Sequence, residues 1–417
     1  YLTGTHGGGA FVFIYLMSIL FIGLPALMAE VLIGRLGRKN AVDALRELSL
    51  LNRKTPAWTY LGWLGALTLL LILAFYSVVA GWAVAYMVMA FKGAFNQASP
   101  ADIQGIWHNL ISNPYRLLLW HSIFMLMTLA VVARGVEKGI ERMSNILMPA
   151  LFFVLIALVI NALMTGNVKE AIDFLFAFKF DGITAGSVVA ALGASFFTLA
   201  LGAGCMLVYG AYLPNSVSIG KTLSIVVILD TMVSLLAGLA IFPIVFQYGL
   251  RPDEGYGLMY LILPISFSQM PAGQLIAPLF FILLVFAAWT SAFSLAEPLV
   301  MLLVEKLHIS RLKSTAIVGA AAWLLGIGGL LSFNVWKDIH IISNWDFFTV
   351  LTNLPIQFFL PLGGLGFSIF AGWVLEKQMT EKTLDLKYPL IYPVWRFLIR
   401  YVCPIGIGVI FLANFVG

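Results

Sequence analysis

Apolar residues in this chain come in long runs separated by short polar connectors. Ten runs stand out, at about 10–33, 58–91, 115–134, 144–165, 187–212, 221–248, 274–304, 313–333, 345–375 and 391–416. Each is long enough for a helix to cross the roughly 30 Å of a bilayer's hydrocarbon core. The longest imply tilt or kinks. The connectors are too short to fold separately. Residues 1–417 therefore read as a single transmembrane domain of an all-α polytopic protein.

One run is interrupted. Residues 193–210 read G-A-S-F-F-T-L-A-L-G-A-G-C-M-L-V-Y-G, with Gly202 and Gly204 just after Thr198. Glycine weakens a helix by roughly 1 kcal/mol relative to alanine. In lipid a broken helix survives only where protein or an aqueous cavity satisfies the freed backbone groups. The interruption predicts a discontinuous helix at 187–212 with a binding site near midmembrane. Close packing of small residues between helices is the competing explanation.

Composition agrees with the pattern. The chain is 61% hydrophobic and 10% charged, with mean hydropathy +0.99. That excludes a large soluble protein. The net charge of +5 is no sign of nucleic-acid binding, because its distribution is what matters. Of 24 Lys and Arg, 18 fall on one set of alternating connectors, among them Arg35, Arg38, Arg134, Lys306 and Arg311. By the positive-inside rule that set is cytoplasmic. Tyr1 and Gly417 then lie outside, and an external amino terminus without a signal peptide predicts one further helix upstream of Tyr1. The external segment 253–274, broken by Pro and Gly, reads as a re-entrant or capping loop over the outer mouth. Cys205 and Cys403 lie in different spans and form no disulfide framework.

Ionisable residues inside spans are costly and usually functional. Asp230 is the clearest, suited to bind a cation or take up a proton. A carboxylate merely hydrogen-bonded between helices is the alternative. Glu297, just before Pro298, reads equally well as a tie for backbone freed by the proline. Ala287, Thr290 and Ser291 share one helical face. One carbonyl and two hydroxyls there make an oxygen shell for a small hard cation, although such hydroxyls also serve as packing glue. Tyr76 places a hydroxyl at midspan and reads, on its own, as a core aromatic. His108, His121, His308 and His340 are scattered, and no catalytic or metal-ligand spacing appears. No enzyme is indicated.

Taken together, these stretches resemble the neurotransmitter:sodium symporter family. The matching motifs are H-G-G-G-A-F (6–11), G-L-P-A-L-M-A-E-V-L-I-G-R (23–35), R-G-V-E-K-G-I-E-R (134–142), F-F-T-L-A-L-G-A-G (196–204), G-L-M-Y-L-I-L-P (257–264), A-A-W-T-S (287–291) and L-P-L-G-G-L (360–365). The resemblance implies an inverted-repeat transporter fold whose helices 2–11 are seen here, the first lying upstream of Tyr1. It implies sodium ligands at Thr198 and Asp230 for one site. For a second it implies the Ala287 carbonyl with Thr290 and Ser291. It implies substrate-pocket positions Ile72, Tyr76, Phe197, Leu199, Ala203, Ser291 and Leu295. Tyr76 and Phe197 match the lid over substrate, Asp346 the outer gate carboxylate, Glu305 the inner gate carboxylate and Tyr212 the tyrosine beside it. Both gate carboxylates would pair with arginines upstream of Tyr1.

Two departures carry weight. Ala194 stands where bacterial relatives often have Gln. Asp230 stands where chloride-dependent members have Asn, and it supplies the negative charge that chloride otherwise brings, which Ser234 cannot. The expectation is a chloride-independent, sodium-coupled importer of a hydrophobic amino acid, aromatic or large aliphatic, in a prokaryotic inner membrane. Na⁺ would be the coupling ion, with no other cofactor and no nucleic-acid partner. The bilayer is its surroundings, and a homodimer is left open. A non-transporting membrane protein, such as a regulatory subunit or an inactive fragment, is the alternative. An ion channel is disfavoured because no ring of carboxylates or carbonyl filter motif appears.

Overall fold

Long apolar runs become helices because hydrocarbon offers no partner for a free N–H or C=O. In chain order the helices are α1 (Gly9–Gly37), α2 (Ala41–Leu51), α3 (Pro56–Phe91), α4 (Pro100–Ile111), α5 (Pro114–Val132), α6 (Val136–Thr165), α7 (Val168–Phe176) and α8 (Ala185–Thr198). Then come α9 (Cys205–Tyr212), α10 (Ile219–Gln247), α11 (Leu258–Gln269), α12 (Gly273–Leu307), α13 (Arg311–Leu331), α14 (Phe347–Val374), α15 (Lys377–Leu384) and α16 (Ile391–Ala413). This computed structural model describes residues 2–6, 8–177, 183–249, 257–342, 344–384, 386 and 390–416, with side chains through Ala413. Of the residues named above, Tyr1, Gly7, 253–256 and Gly417 lie outside this set, as do Lys179, Arg251 and Lys387 among the 24 Lys and Arg counted.

Among the described residues nine helices are long and apolar enough to cross a membrane: α1, α3, α5, α6, α10, α12, α13, α14 and α16. The tenth run is divided between α8 and α9. Polar side chains set the ends. The Asn40 side chain accepts the Asp43 N–H at 3.1 Å to open α2, and Ser99 with Asp102 closes a reciprocal capping box on α4. Pro100 and Pro114 sit in first turns, where no N–H is needed. The largest boundary difference is at α6, which begins at Val136 through a π-helical turn rather than near 144.

Two apolar clusters form the core. One gathers α3, α5, α12 and α13, with Trp82, Tyr86 and Phe281 fully buried. The other gathers α1, α9, α14 and α16 around Leu27, Leu32, Phe367 and Phe370. The segment expected as a capping loop is helical over Leu258–Gln269. Tyr260 stacks on Trp107 at 5.3 Å and donates its hydroxyl to the Val79 carbonyl at 3.2 Å. Folding into a helix lets Leu258, Ile262 and Phe267 bury their apolar faces, which a loop would leave exposed. His121 is fully buried between Ser77 Oγ (3.1 Å) and the Trp323 carbonyl (3.2 Å), so both ring nitrogens have partners.

Candidate functional site

The site begins with how α8 stops. The Leu201 N–H donates to the Phe196 carbonyl at 3.0 Å and the Ala200 N–H to that of Phe197 at 3.1 Å. This is the pattern of a Schellman stop, with a left-handed residue just past the helix. Ala200 holds that place at φ 51°, and Gly202 and Gly204 follow at φ 87° and 72°. Space demands glycine as well: a Cβ on Gly202 would overlap the Leu360 carbonyl of α14. One freed donor is captured from α1, where Glu30 Oε1 accepts the Gly202 N–H at 2.6 Å. Glu30 is only 1% exposed, and among the described residues its other oxygen meets no hydrogen-bond donor within bonding geometry. Sequence reasoning took Glu30 as a motif letter and missed this role.

Beside the break lies a cavity of about 540 Å³ between the two core clusters. It is lined by Ile72 and Tyr76 of α3, Phe197, Thr198, Leu199, Ala200 and Ala203 at the break, and Cys205 of α9. Asp230 of α10, Thr290, Ser291, Ser294 and Leu295 of α12, and Leu360 of α14 also line it, with further apolar and hydroxyl side chains from α1 and α6. All seven expected pocket positions thus line one space, together with Thr198, Asp230 and Thr290. Ala287 lies one turn behind: its carbonyl accepts from the Thr290 hydroxyl at 3.0 Å and the Ser291 hydroxyl at 3.1 Å. Thr198 likewise donates to the Ala194 carbonyl at 2.8 Å. With their protons committed to backbone, these hydroxyls keep oxygen lone pairs for an incoming cation. Among the described residues the buried Asp230 Oδ2 has no hydrogen-bond partner. Ala194 and Ser234 line a separate cavity of about 340 Å³ that also contains Tyr15.

Of the expected gating residues, Tyr76 and Phe197 line this cavity, whereas Asp346, Glu305 and Tyr212 do not. Asp346 caps α14, its Oδ1 accepting the Thr349 N–H at 2.6 Å. Glu305 Oε2 accepts from the Asn40 N–H at 2.8 Å and from Asn40 Nδ2 at 2.7 Å. Next to it Lys306 Nζ pairs with Asp43 at 2.5 Å. Burial alone would push the Asp43 carboxyl up, but hydrogen bonds from Lys306 and Asn40 outweigh it and hold the pKa below the ordinary carboxylate range. Tyr212 donates to Glu297 Oε1 at 2.9 Å, and Arg311 meets both oxygens of the same carboxylate. The Arg311 Nε–H donates to the Val132 carbonyl at 2.8 Å. Glu297 therefore corrects the proline-tie reading. It is a fully buried carboxylate joining α9, α12 and the start of α13. The sequence signal was present: a carboxylate inside α12 and an arginine just past the turn into α13.

A second clamp holds the same end of α9 and the residues just past it. Arg35 Nη2 donates to the carbonyls of Pro214 and Val217 at 3.2 and 2.6 Å. Arg38 reaches those of Ala211 and Leu213 at 3.0 and 2.7 Å. Between the ends, α1 and α9 touch backbone to backbone, since a Cβ on Gly34 would overlap the Leu207 carbonyl and one on Gly210 that of Val31.

A polytopic helical protein with a helix broken at an internal cavity is the architecture of a secondary transporter. The model of the sodium:neurotransmitter symporter family matches residues 1–103 and 108–416, and the chain belongs to that family. It is 36% identical to the uncharacterized sodium-dependent transporter YhdH of Bacillus subtilis, over 100% of this chain and 92% of that protein. It is 33% identical to an uncharacterized sodium-dependent transporter of Haemophilus influenzae, over 99% of this chain and 92% of the relative. The fold is similar to the crystal structure of MhsT in complex with L-phenylalanine, with a TM-score of 0.91 and 37% identity, covering 99% of this chain and 93% of that one. The chain is thus a multi-pass transporter of the inner membrane with an inverted-repeat transporter fold, and its relatives are sodium-dependent transporters rather than enzymes.

Proposed function

We propose that this sodium-coupled transporter imports a neutral amino acid with a large apolar side chain, aromatic in preference to aliphatic, independently of chloride. The observation that carries this is the single cavity of about 540 Å³ in which an apolar wall meets Asp230 and the Thr198, Thr290 and Ser291 hydroxyls. Ile72, Leu199, Ala203 and Leu295 offer no charge to meet a charged side chain. Burying an unpaired charge among them costs several kcal/mol, so acidic and basic amino acids are rejected. Ala203 leaves room for a ring, and each CH₂ that fills the space adds about 0.8 kcal/mol. MhsT, similar in fold, holds L-phenylalanine in its crystal structure.

In this reading sodium sits on one side with Thr198 and Asp230, and on the other with the Ala287 carbonyl, Thr290 and Ser291. Fixed oxygens replace part of the ion's hydration shell. Sodium favours the outward-facing state, and substrate under Tyr76 and Phe197 permits closure, a shift between two populations. The membrane potential adds about 2.3 kcal/mol per charge per 100 mV. Inside, opening requires α9 to leave α12, which breaks the Tyr212–Glu297 bond. Asp230 supplies a negative charge at the first sodium site, so no chloride is needed to balance the cation.

The test is uptake into proteoliposomes of the full-length protein, comparing all twenty amino acids with and without an inward sodium gradient. Sodium-driven uptake of Phe, Tyr or Trp ahead of Leu and Ile is expected. Preference for glycine or alanine would sink the substrate assignment. Sodium-independent uptake would sink the coupling, and absent uptake would leave the non-transporting alternative standing.

A further inference from the structure

Arg400 lies inside α16, in the π-helical turn Leu398–Val402. It is away from the cavity, and transport chemistry leaves it unused. Its Nε–H donates to the Gly372 carbonyl at 2.6 Å, in the π-helical turn Phe370–Val374 that ends α14. Its guanidinium lies over the Trp373 ring, 4.9 Å from the centroid. The Trp373 indole N–H in turn donates to the Arg400 carbonyl at 3.3 Å. Glycine at 372 makes this possible, since a Cβ there would come within 3.0 Å of Arg400 Cγ. The end of α14 and the body of α16 are thus bolted together reciprocally through Arg400.

The bolt engages only Nε. Among the described residues Nη1 and Nη2 have no hydrogen-bond acceptor and Arg400 has no acidic partner. Capping the carbonyl end of α14 explains the charge, but not why the forked end is left open. Around it the surface is apolar and exposed: Trp373 is 51% exposed, Phe397 57% and Tyr401 45%. Tyr401 packs on both other rings, at 5.7 Å from Trp373 and 5.5 Å from Phe397. Trp373 is the last residue but one of α14, at the end that the positive-inside rule places in the cytoplasm. Aromatic rings at that depth sit at the headgroup level.

We propose that this notch is a binding site for an anionic phospholipid of the inner leaflet. The free fork of Arg400 takes the phosphodiester through two parallel N–H···O bonds, the geometry a guanidinium provides and an ammonium does not. Trp373, Tyr401 and Phe397 carry the upper acyl chain. The phosphate supplies the acceptors that membrane-buried N–H groups require, and the rings exclude water from the contact. A seated lipid bridges α14 and α16 and stiffens their cytoplasmic ends. A free phosphate shares the headgroup chemistry but gains nothing from the rings.

The experiment measures thermal stabilisation of the full-length protein in detergent by phosphatidylglycerol, phosphatidylcholine and sn-glycerol 3-phosphate, with native mass spectrometry counting retained lipid. Wild type is expected to prefer phosphatidylglycerol over phosphatidylcholine. Arg400→Gln should weaken phosphatidylglycerol about fivefold, the equivalent of the ~1 kcal/mol a basic side chain contributes near an anionic surface. Arg400→Lys should recover part of the loss, and Trp373→Leu should reproduce it with the charge still present. Lys313→Gln, on another helix, should change nothing. If Arg400→Gln fails to fold, Trp373→Leu and Tyr401→Leu carry the test alone. Full phosphatidylglycerol preference in the variants, equal stabilisation by glycerol phosphate, or an equal loss in Lys313→Gln would each overturn the assignment.

Discussion

The phenolic hydroxyl of Tyr212 donates to the Glu297 carboxylate at 2.9 Å, and this bond spans the line along which α9 faces α12 below the cavity. Arg311 neutralises the same carboxylate from the side. Glu297 is fully buried, so its charge is tolerable only while these partners stay. The proposed latch on the inner side is therefore also a stability element, and the two roles separate by mutation.

Removing the phenol alone should loosen the latch. Tyr212→Phe keeps the ring and the Glu297–Arg311 pair and removes one hydrogen bond to a charged group, worth about 1.5–3 kcal/mol. In a Cys403→Ser background, labelling of Cys205 by a thiol reagent from the cytoplasmic side should rise roughly tenfold or more. By contrast Arg311→Ala leaves a buried carboxylate unpaired and should cost about 3–5 kcal/mol, read as lost expression or a lower melting temperature. Unchanged Cys205 labelling in Tyr212→Phe would show that the inner side is closed by other contacts.

Glu30 should matter through Gly202. Glu30→Ala leaves the Gly202 N–H buried without an acceptor, at a cost of about 1–3 kcal/mol. Glu30→Gln keeps a carbonyl oxygen there and should recover most of the melting temperature and of the substrate-induced shift. Equal melting of Glu30→Ala and wild type would remove the carboxylate from the account of the break.

Cation binding should depend on single oxygens. Thr290→Val keeps the branched shape and removes the hydroxyl. The sodium concentration for half-maximal uptake should rise on the order of tenfold, since a contact to a charge is worth roughly 1.5–3 kcal/mol. Expression should be nearly normal. An unaltered sodium curve would assign Thr290 to helix packing.

Chloride dependence should follow Asp230. Uptake by wild type should survive replacement of chloride with gluconate. Asp230→Asn should either abolish uptake or make it respond to chloride, with a loss on the order of tenfold or more in chloride-free buffer. A wild type that stops in gluconate would contradict the charge argument.

Pocket volume should follow Ala203. Ala203→Phe fills space at the break, and overfilling a packed wall costs typically 1–3 kcal/mol. Competition assays should show the preference order moving from aromatic toward smaller aliphatic amino acids. An unchanged order would mean that Ala203 does not contact the side chain of the substrate.

Much of this was legible before any coordinates. Ten runs follow from length, because a hydrocarbon slab imposes one minimum length on every segment, and among the described residues nine are single spanning helices and the tenth is divided at the break. The break followed from Gly202 and Gly204, because only glycine takes left-handed backbone freely. The pocket residues came from motif resemblance, and the fold gathers all of them around one cavity. What local sequence did not carry was the pairing of buried polar groups. Glu30 meets Gly202 across 172 positions and Arg35 meets Val217 across 182. Glu297 lies 14 positions from Arg311, yet only the turn between α12 and α13 brings them together. The helical conversion of 258–269 was likewise decided by the Trp107, Val79 and Phe281 surface that covers it. Hydrophobic length and glycine act on the chain locally and can be read in order. A buried charge is satisfied by whichever helix packing brings within 3 Å, and that is decided only by the whole assembly.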